Sequence, residues 1–163
     1  MFIKTAGRNK TKVVIIFMDI TIRKVQIQDI PEIIKMNDVL NGVGLSAYEH
    51  MNESLENNRN EIVLIALLDD KAIGFICGRL HFSICYSDGV LCEVSELFVY
   101  EEYRRTGVAT KLIKQLEGEF EKYNATEIFL QTGKKNINAQ MFYEKNGYVV
   151  RERIVYLKNE GNK

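Results

Sequence analysis

Seven consecutive residues, Arg104-Arg105-Thr106-Gly107-Val108-Ala109-Thr110, join two permanent positive charges to a glycine where an extended run becomes a helical one. Before them, Cys92-Glu93-Val94-Ser95-Glu96-Leu97-Phe98-Val99 reads as a strand. After them, Ala109, Leu112, Ile113, Leu116, Phe120 and Tyr123 recur at helical spacing. A strand that turns through glycine into a helix leaves the first helical N–H groups without partners. Those donors and the helix dipole favour an anion, typically a phosphate. The arginines strengthen that preference, and Gly107 lets the backbone approach the ligand. The segment therefore reads as a phosphate cradle.

It is not the cradle of a nucleoside-triphosphate loop, which ends in Gly-Lys-Ser/Thr, nor that of a dinucleotide fold with three spaced glycines. Arg104-x-x-Gly107-x-Ala109 resembles the pyrophosphate loop (Arg/Gln-x-x-Gly-x-Gly/Ala) of the GCN5-related N-acetyltransferases, the GNAT superfamily. About thirty residues on, Asn136-Ile137-Asn138-Ala139-Gln140-Met141-Phe142-Tyr143-Glu144-Lys145-Asn146-Gly147-Tyr148 resembles the family's second signature, Asn-x-x-Ala-x-x-hydrophobic-Tyr followed by a Gly-aromatic pair. The resemblance extends from about Ile20 to Leu157. It implies an α/β (α+β) GNAT fold, a single mixed, mostly antiparallel sheet of six to seven strands flanked by about four helices and splayed to admit acetyl-CoA. It also implies transfer of an acetyl group from coenzyme A to a primary amine by direct attack in a ternary complex.

Such a reaction needs the amine deprotonated, the thioester aligned, its carbonyl oxygen stabilised and the leaving thiolate protonated. An alkyl amine with a pKa near ~10 is mostly charged at neutral pH, so a base or a water relay is required. Glu93 and Glu96 lie in the strand that would edge the acetyl group. Three apart, they face opposite sides of a regular strand, so only one reaches the cleft unless a bulge intervenes. The sequence does not separate them. Each is also readable as a solvated or salt-bridged strand residue. By resemblance, Tyr143 offers its phenol to the departing sulfur; otherwise it is a packing residue beside Ala139 and Phe142. Asn136 bonds the pantetheine arm, caps the following helix, or does both. The resemblance further implies that Leu97, Phe98 and Val99 hold pantetheine through their backbone groups. It assigns the pyrophosphate to Arg104, Arg105, Thr106, Gly107, Val108, Ala109 and Thr110, mostly through main-chain amides; Arg105 is also readable as a contact to a 3′-phosphate or as a solvated residue.

Acceptor recognition in the family resides in the segments that here are residues 41–46 and 83–89. Tyr48, Tyr86 and Asp88 are the candidate acceptor contacts, with Glu49 and His81 beside them, since acidic and aromatic groups welcome a cationic amine. Glu96-Leu97-Phe98-Val99 with Tyr103-Arg104-Arg105 resembles bacterial aminoglycoside-type members. That favours a small polyamine or amino-sugar over a protein or peptide amine. A non-catalytic acyl-CoA-binding sensor of the same fold is the alternative, and the presence of Tyr143 and a strand carboxylate argues against it.

The elements that must position these groups follow from periodicity. Expected strands are 20–24, 62–68, 72–82, 91–99, 127–131, 148–150 and 154–158. Expected helices are one starting after Asp29 with Pro31 in its first turn, one at 47–57 capped by Ser46, one at about 107–123 and one at 137–145. At 163 residues, 46% of them hydrophobic, the chain suits one domain able to bury its own core. Twenty-two basic and twenty-two acidic residues cancel, giving no field for nucleic acid. Cys77, Cys85 and Cys92 lack zinc spacing and read as reduced, buried thiols of a cytoplasmic protein; no metal is expected. The apolar run 13–17 behind four basic residues is too short for a signal or a membrane span. Residues 1–17 are therefore read as an extension before an acetyltransferase domain at 18–163, with either Met18 as the initiator or 12–17 as an extra strand. Homodimers are common in the family, and residues 148–158 are available for pairing, though nothing in the sequence demands it.

Overall fold

The structure, a computed structural model, describes residues 19–85, 89–152, 154, 156 and 158, together with the backbone of residues 3, 4, 15 and 16. The chain divides into two compact units, Met1–Gln131 and Thr132–Lys163.

The larger unit begins with β1 (Ile3–Lys4) and β2 (Ile15–Ile16), which pair antiparallel as a small sheet of their own. Of residues 12–17, read as a possible extra strand, only Ile15 and Ile16 are among the described residues, and they pair with β1. That sheet has the order β3 (Ile20–Lys24), β4 (Glu61–Leu68), β5 (Lys71–His81), β6 (Val90–Val99) and β7 (Ala125–Leu130). Its first three pairings are antiparallel and β6–β7 is parallel. Asp69 and Asp70 close the β4–β5 hairpin with φ of 48° and 63°, the left-handed pair that a two-residue turn requires and that aspartate tolerates.

Helix α1 (Ile30–Asn41) places Ile33 and Met36 against Ile65, Phe75 and Phe98 on one face of the sheet. Asp29 precedes it as expected. Its carboxylate, however, accepts from Arg23 (2.5 and 2.8 Å) and from the Gln26 N–H (2.8 Å) rather than capping the helix. Helix α2 (Tyr48–Asn57) has Ala47, not Ser46, at its N-cap, because the Ser46 hydroxyl is bonded by the Asn37 amide at 2.6 Å. Helix α3 (Val108–Glu121) buries Val108, Leu112, Ile113, Leu116 and Phe120 on the other face. Gly78 of β5 makes that packing possible, since a Cβ there would stand 2.5 Å from the Phe120 ring and 2.8 Å from Leu116. Each aliphatic side chain so buried contributes about 1.5–3 kcal/mol.

The smaller unit holds α4 (Ile137–Lys145), which ends at Gly147 with φ of 92°. Among the described residues the main sheet has five strands, not six or seven. Residues 148–150 are not in a strand. Val149 and Val150 are 77% and 80% exposed, and β-branched side chains without a cross-strand partner do not make a ladder. The second closing strand expected at 154–158 falls partly outside the described residues. Cys77 and Cys92 are buried free thiols as expected, whereas Cys85 is exposed. Among the described residues no helix is long and apolar enough to cross a membrane, and no acidic, histidine or cysteine cluster has the makings of a metal site.

Candidate active site

Strand β6 carries two features that matter for chemistry. Its pairing with β7 runs from Val90 opposite Ala125 to Val94 opposite Leu130 and then stops. Residues 95–99 pair with β5 on one side only, so within this unit the amides and carbonyls turned toward the β7 side have no ladder partner. This is the opening that a splayed sheet offers to an added, strand-like ligand.

The second feature is a bulge. Gly78 lies opposite Val94 and Cys77 opposite Glu96, so Ser95 is an extra residue in β6. The Ser95 hydroxyl donates to the Cys77 carbonyl at 3.2 Å and holds the kink. Across the bulge the alternation of faces resets. Arg79, opposite Glu93, and Cys77, opposite Glu96, lie on the same side of β5, and Glu93 and Glu96 therefore share that side of the sheet, the one covered by α1 and α2.

The two carboxylates differ in what they touch. Glu93 meets His81 Nε2 at 2.8 Å, and the His81 ring leans on Phe129 with centroids 5.7 Å apart. Glu61, on the same face, receives the Arg79 Nε at 2.9 Å. Glu96 has no hydrogen-bond or ion-pair partner among the described residues. It borders a cavity of about 200 Å³ walled by α1, α2, β4 and β5, with Asn37, His50, Ser54, Glu61 and Cys77 among its lining. Burial pushes the Cys77 thiol up to about 12, against a weaker downward pull from Ser95, so it is no nucleophile at neutral pH. A larger concavity of about 420 Å³ lies at the opposite end of β6, around Phe82, Val90 and Tyr123, and holds none of the candidate carboxylates.

At the far end of β6 the glycine turn takes the conformation its sequence requires. Gly107 has φ of 92° and Arg105 φ of 62°, and a Cβ on Gly107 would meet nothing within 4 Å. The first backbone bond across the start of α3 runs from Lys111 N–H to the Gly107 carbonyl at 3.0 Å, so the amides of Val108, Ala109 and Thr110 precede the helical ladder. The Thr106 hydroxyl donates to the Tyr103 carbonyl at 2.6 Å, and the Arg104 Nε donates to the Val99 carbonyl at 3.0 Å. The arginine thus ties the turn to the end of β6. The turn is open and lined by donors, and it fits a diphosphate. Leu97 is half-buried. Phe98 is a core residue in edge contact with Tyr100 (5.1 Å), which leaves only its backbone for a ligand.

In the smaller unit, Asn136 caps α4 by accepting from the Ala139 N–H at 3.2 Å, leaving its side-chain amide hydrogens as donors. Tyr143 is packed edge-on against Phe142 (5.2 Å) and Tyr148 (5.8 Å), and burial raises its phenol above the ordinary tyrosine value. It is therefore neutral, and a proton donor, throughout the physiological range. Of the expected acceptor contacts, Tyr48 and Glu49 are exposed in the first turn of α2, while Tyr86 and Asp88 lie outside the described residues. Sequence reasoning missed Asn37, His50, Ser54 and Glu61. Their only signal is the pairing of Glu61 with Arg79, which requires the strand register.

The profile of the acetyltransferase (GNAT) family matches residues 34–148. The N-alpha-acetyltransferases of Saccharolobus solfataricus and Sulfurisphaera tokodaii are each 29% identical over 136 residues, covering 78% of this chain and 78% of theirs. The aminoglycoside acetyltransferase meta-AAC0020 from an uncultured soil metagenomic sample superposes with a TM-score of 0.76 at 23% identity, over 88% of this chain and 97% of that one. The aminoglycoside N-acetyltransferase AAC(6')-Iy in complex with CoA gives 0.77 at 19% identity, over 88% and 97%. At those identities the two structures speak for the fold.

Proposed function

The chain belongs to the acetyltransferase (GNAT) family and is an N-acetyltransferase, and from that premise we propose that it acetylates a primary amine bound at Glu96. The observation that carries this reading is the contrast among three carboxylates on one face. Glu61 is held by Arg79 and Glu93 by His81, whereas Glu96 has no partner among the described residues and stands beside a cavity, next to the open edge of β6. A half-buried carboxylate of that kind is a site for an ammonium group.

Acetyl-CoA supplies the acyl group as a thioester. The amides of Gly107, Val108, Ala109 and Thr110 receive its diphosphate, with Arg105 and Thr106 beside them. Backbone groups of Leu97, Phe98 and Val99 hold the pantetheine arm on the open edge, and an N–H there donates to the acyl carbonyl oxygen. The Asn136 amide hydrogens bond the same arm. Glu96 orients the amine and takes its proton, directly or through a water, and Tyr143 returns a proton to the departing sulfur. Glu93, tied to His81, serves the electrostatics of the face.

The acceptor is a small-molecule amine, bound one at a time at the Glu96 cavity. A second reading, the α-amine of a peptide, is favoured by the name of the relatives at 29% identity.

Thermal unfolding with and without acetyl-CoA tests the cofactor. Saturation at about a hundred times the dissociation constant adds roughly 2.7 kcal/mol and raises the midpoint by about 5–10 °C in a domain of this size. Thiol release in the presence of amines then tests the transfer. A folded protein that shows neither shift nor thiol release would remove the proposal.

A further inference from the structure

We propose that the cavity beside Glu96 is a slot for the apolar group adjoining the reacting amine. The acceptor is then a primary amine that carries a compact aliphatic group of leucine or methionine size, not a polyhydroxylated amino-sugar. This deepens the reading above and rests on Glu96 as the partner of the ammonium.

The walls carry the argument. Val25, Ile30, Ile33, Met51, Leu55, Val63 and Phe75 are among the lining residues, and the lining is more apolar than polar. Of the polar groups among them Asn37, Ser54 and Glu61 are already engaged, which leaves His50, besides Glu96, to meet a ligand. Asn37 donates to the Ser46 hydroxyl (2.6 Å) and accepts from the Asn41 amide (2.7 Å). The Ser54 hydroxyl points to Glu61 (3.4 Å), which in turn is held by Arg79 and by the Asn58 amide (3.1 Å). A sugar in this slot would surrender the hydration of several hydroxyls and find few partners, a loss charged for every group left unpaired. An alkyl chain surrenders nothing of that kind, and Met51 is a wall residue that adapts to its outline.

Size agrees with chemistry. At about 30 Å³ per water-sized group, 200 Å³ takes roughly six non-hydrogen atoms, the amine, its carbon and a branched four-carbon side chain. An amino-sugar of two rings is several times larger. Orientation agrees as well. Glu96 sits at the bulge, the first paired position after Ser95, where β6 loses β7 as its neighbour. An ammonium on Glu96 with its side chain in the slot is therefore turned toward the edge where the acyl group is held.

Two sources present this chemistry, a free branched alkyl amine and the first residue of a peptide. Initial rates with acetyl-CoA on leucinamide, glycinamide, a tripeptide beginning with leucine, its glycine counterpart and a two-ring amino-sugar separate them. Leucinamide should exceed glycinamide at least tenfold in kcat/KM, and exceed the amino-sugar by more. A further tenfold gain with the leucine tripeptide assigns the site to peptide termini, and equal rates assign it to free amines. Leu55→Phe and, on a second wall, Val63→Phe narrow the slot and should bring the leucinamide-to-glycinamide ratio toward one. Equal rates for leucinamide and glycinamide in the unaltered enzyme, or preference for the amino-sugar, overturn the slot while leaving the acetyltransferase reading intact. Binding of acetyl-CoA with no acetylation of any amine overturns the role of Glu96, and the slot with it.

Discussion

Glu93 and Glu96 stand three positions apart in one strand yet occupy the same face of the sheet, because Ser95 is inserted between the residues that pair with Gly78 and Cys77. The insertion kinks β6 at the point where its pairing with β7 ends. One local irregularity therefore groups the carboxylates and lies at the start of the open backbone edge on which the acyl donor is proposed to lie. Bulges recur beside active sites for this reason: they re-aim a side chain where pairing stops.

The two carboxylates should respond differently to neutralisation. Glu96→Gln removes the unpaired charge beside the cavity and should lower kcat/KM for the amine by about 10²–10³, within the range of a lost general base. Glu93→Gln leaves a neutral hydrogen-bonding partner for His81 and should cost less than about tenfold on the same scale. Steady-state kinetics on the separate variants decide the matter, and the reverse order would move the base to the Glu93–His81 pair.

Tyr143 is expected to act after the amine has attacked. Tyr143→Phe should reduce kcat by about 10² and leave acetyl-CoA affinity within about threefold, because the ring packing against Phe142 and Tyr148 survives. Burial raises the phenol above its ordinary value near ~10, so the donor form persists as pH rises and the alkaline fall in kcat should lie above pH ~10. An unchanged kcat in the phenylalanine variant would leave Tyr143 as a packing residue.

Much of this was readable in the residues, and the gaps have physical causes. The glycine turn was legible because a left-handed φ at Gly107 and a following apolar stripe are local properties. Helix α4 was legible to the residue because Asn136 and Gly147 mark its two ends. The bulge was not, since an extra residue in β6 exists only relative to the register of β5, and nothing in Val94-Ser95-Glu96 announces it. The same non-locality hid Glu61, whose place in the cavity depends on the partnership with Arg79 across a hairpin. Ser46 misled for a related reason. Its type suits an N-cap, but Asn37, nine residues earlier, takes its hydroxyl and pins the loop back to α1. Residues 148–150 carry strand propensity without a ladder to join.

Arg104 turns its Nε back onto the Val99 carbonyl, which joins the phosphate turn to the end of the pantetheine edge. Its expected contribution is to hold the two in register more than to ligate phosphate. Arg104→Ala should weaken binding of whole coenzyme A by about tenfold, and binding of its nucleotide half, adenosine 3′-phosphate 5′-diphosphate, by less than about threefold. The energetic scale is that of one hydrogen bond from a charged group, about 1.5 kcal/mol. Calorimetric titration of both ligands gives the comparison. Equal losses for the two would make the side chain a phosphate ligand.

Acid stability should depend on two carboxylates remote from the chemistry. A hydrogen bond from Arg23 holds the Asp29 carboxyl below its ordinary value, against desolvation and with help from the Gln26 N–H. Glu119, buried in α3, is pushed up by desolvation, but hydrogen bonds from Lys122 and Lys24 outweigh that and leave it lowered as well. A carboxyl whose folded value is depressed binds fewer protons folded than unfolded. Its stabilisation is therefore complete above the unfolded value near ~4 and drains away as pH falls through the lower folded value. Asp29→Asn should cost about 2 kcal/mol at pH 7, roughly 4–8 °C in midpoint, since it removes charge-assisted bonds while Arg23 remains partly hydrated. As pH falls below ~4 and through the lowered folded value, the gap from the unaltered protein should close, because protonation then does to Asp29 what the substitution did. Glu119→Gln should follow the same course, and the two effects should add, because Asp29 precedes α1 while Glu119 lies in α3, on the opposite face of the sheet, and they share no partner. Urea titrations at a series of pH values measure all three quantities. A constant gap across pH would mean that neither ion pair contributes through its charge.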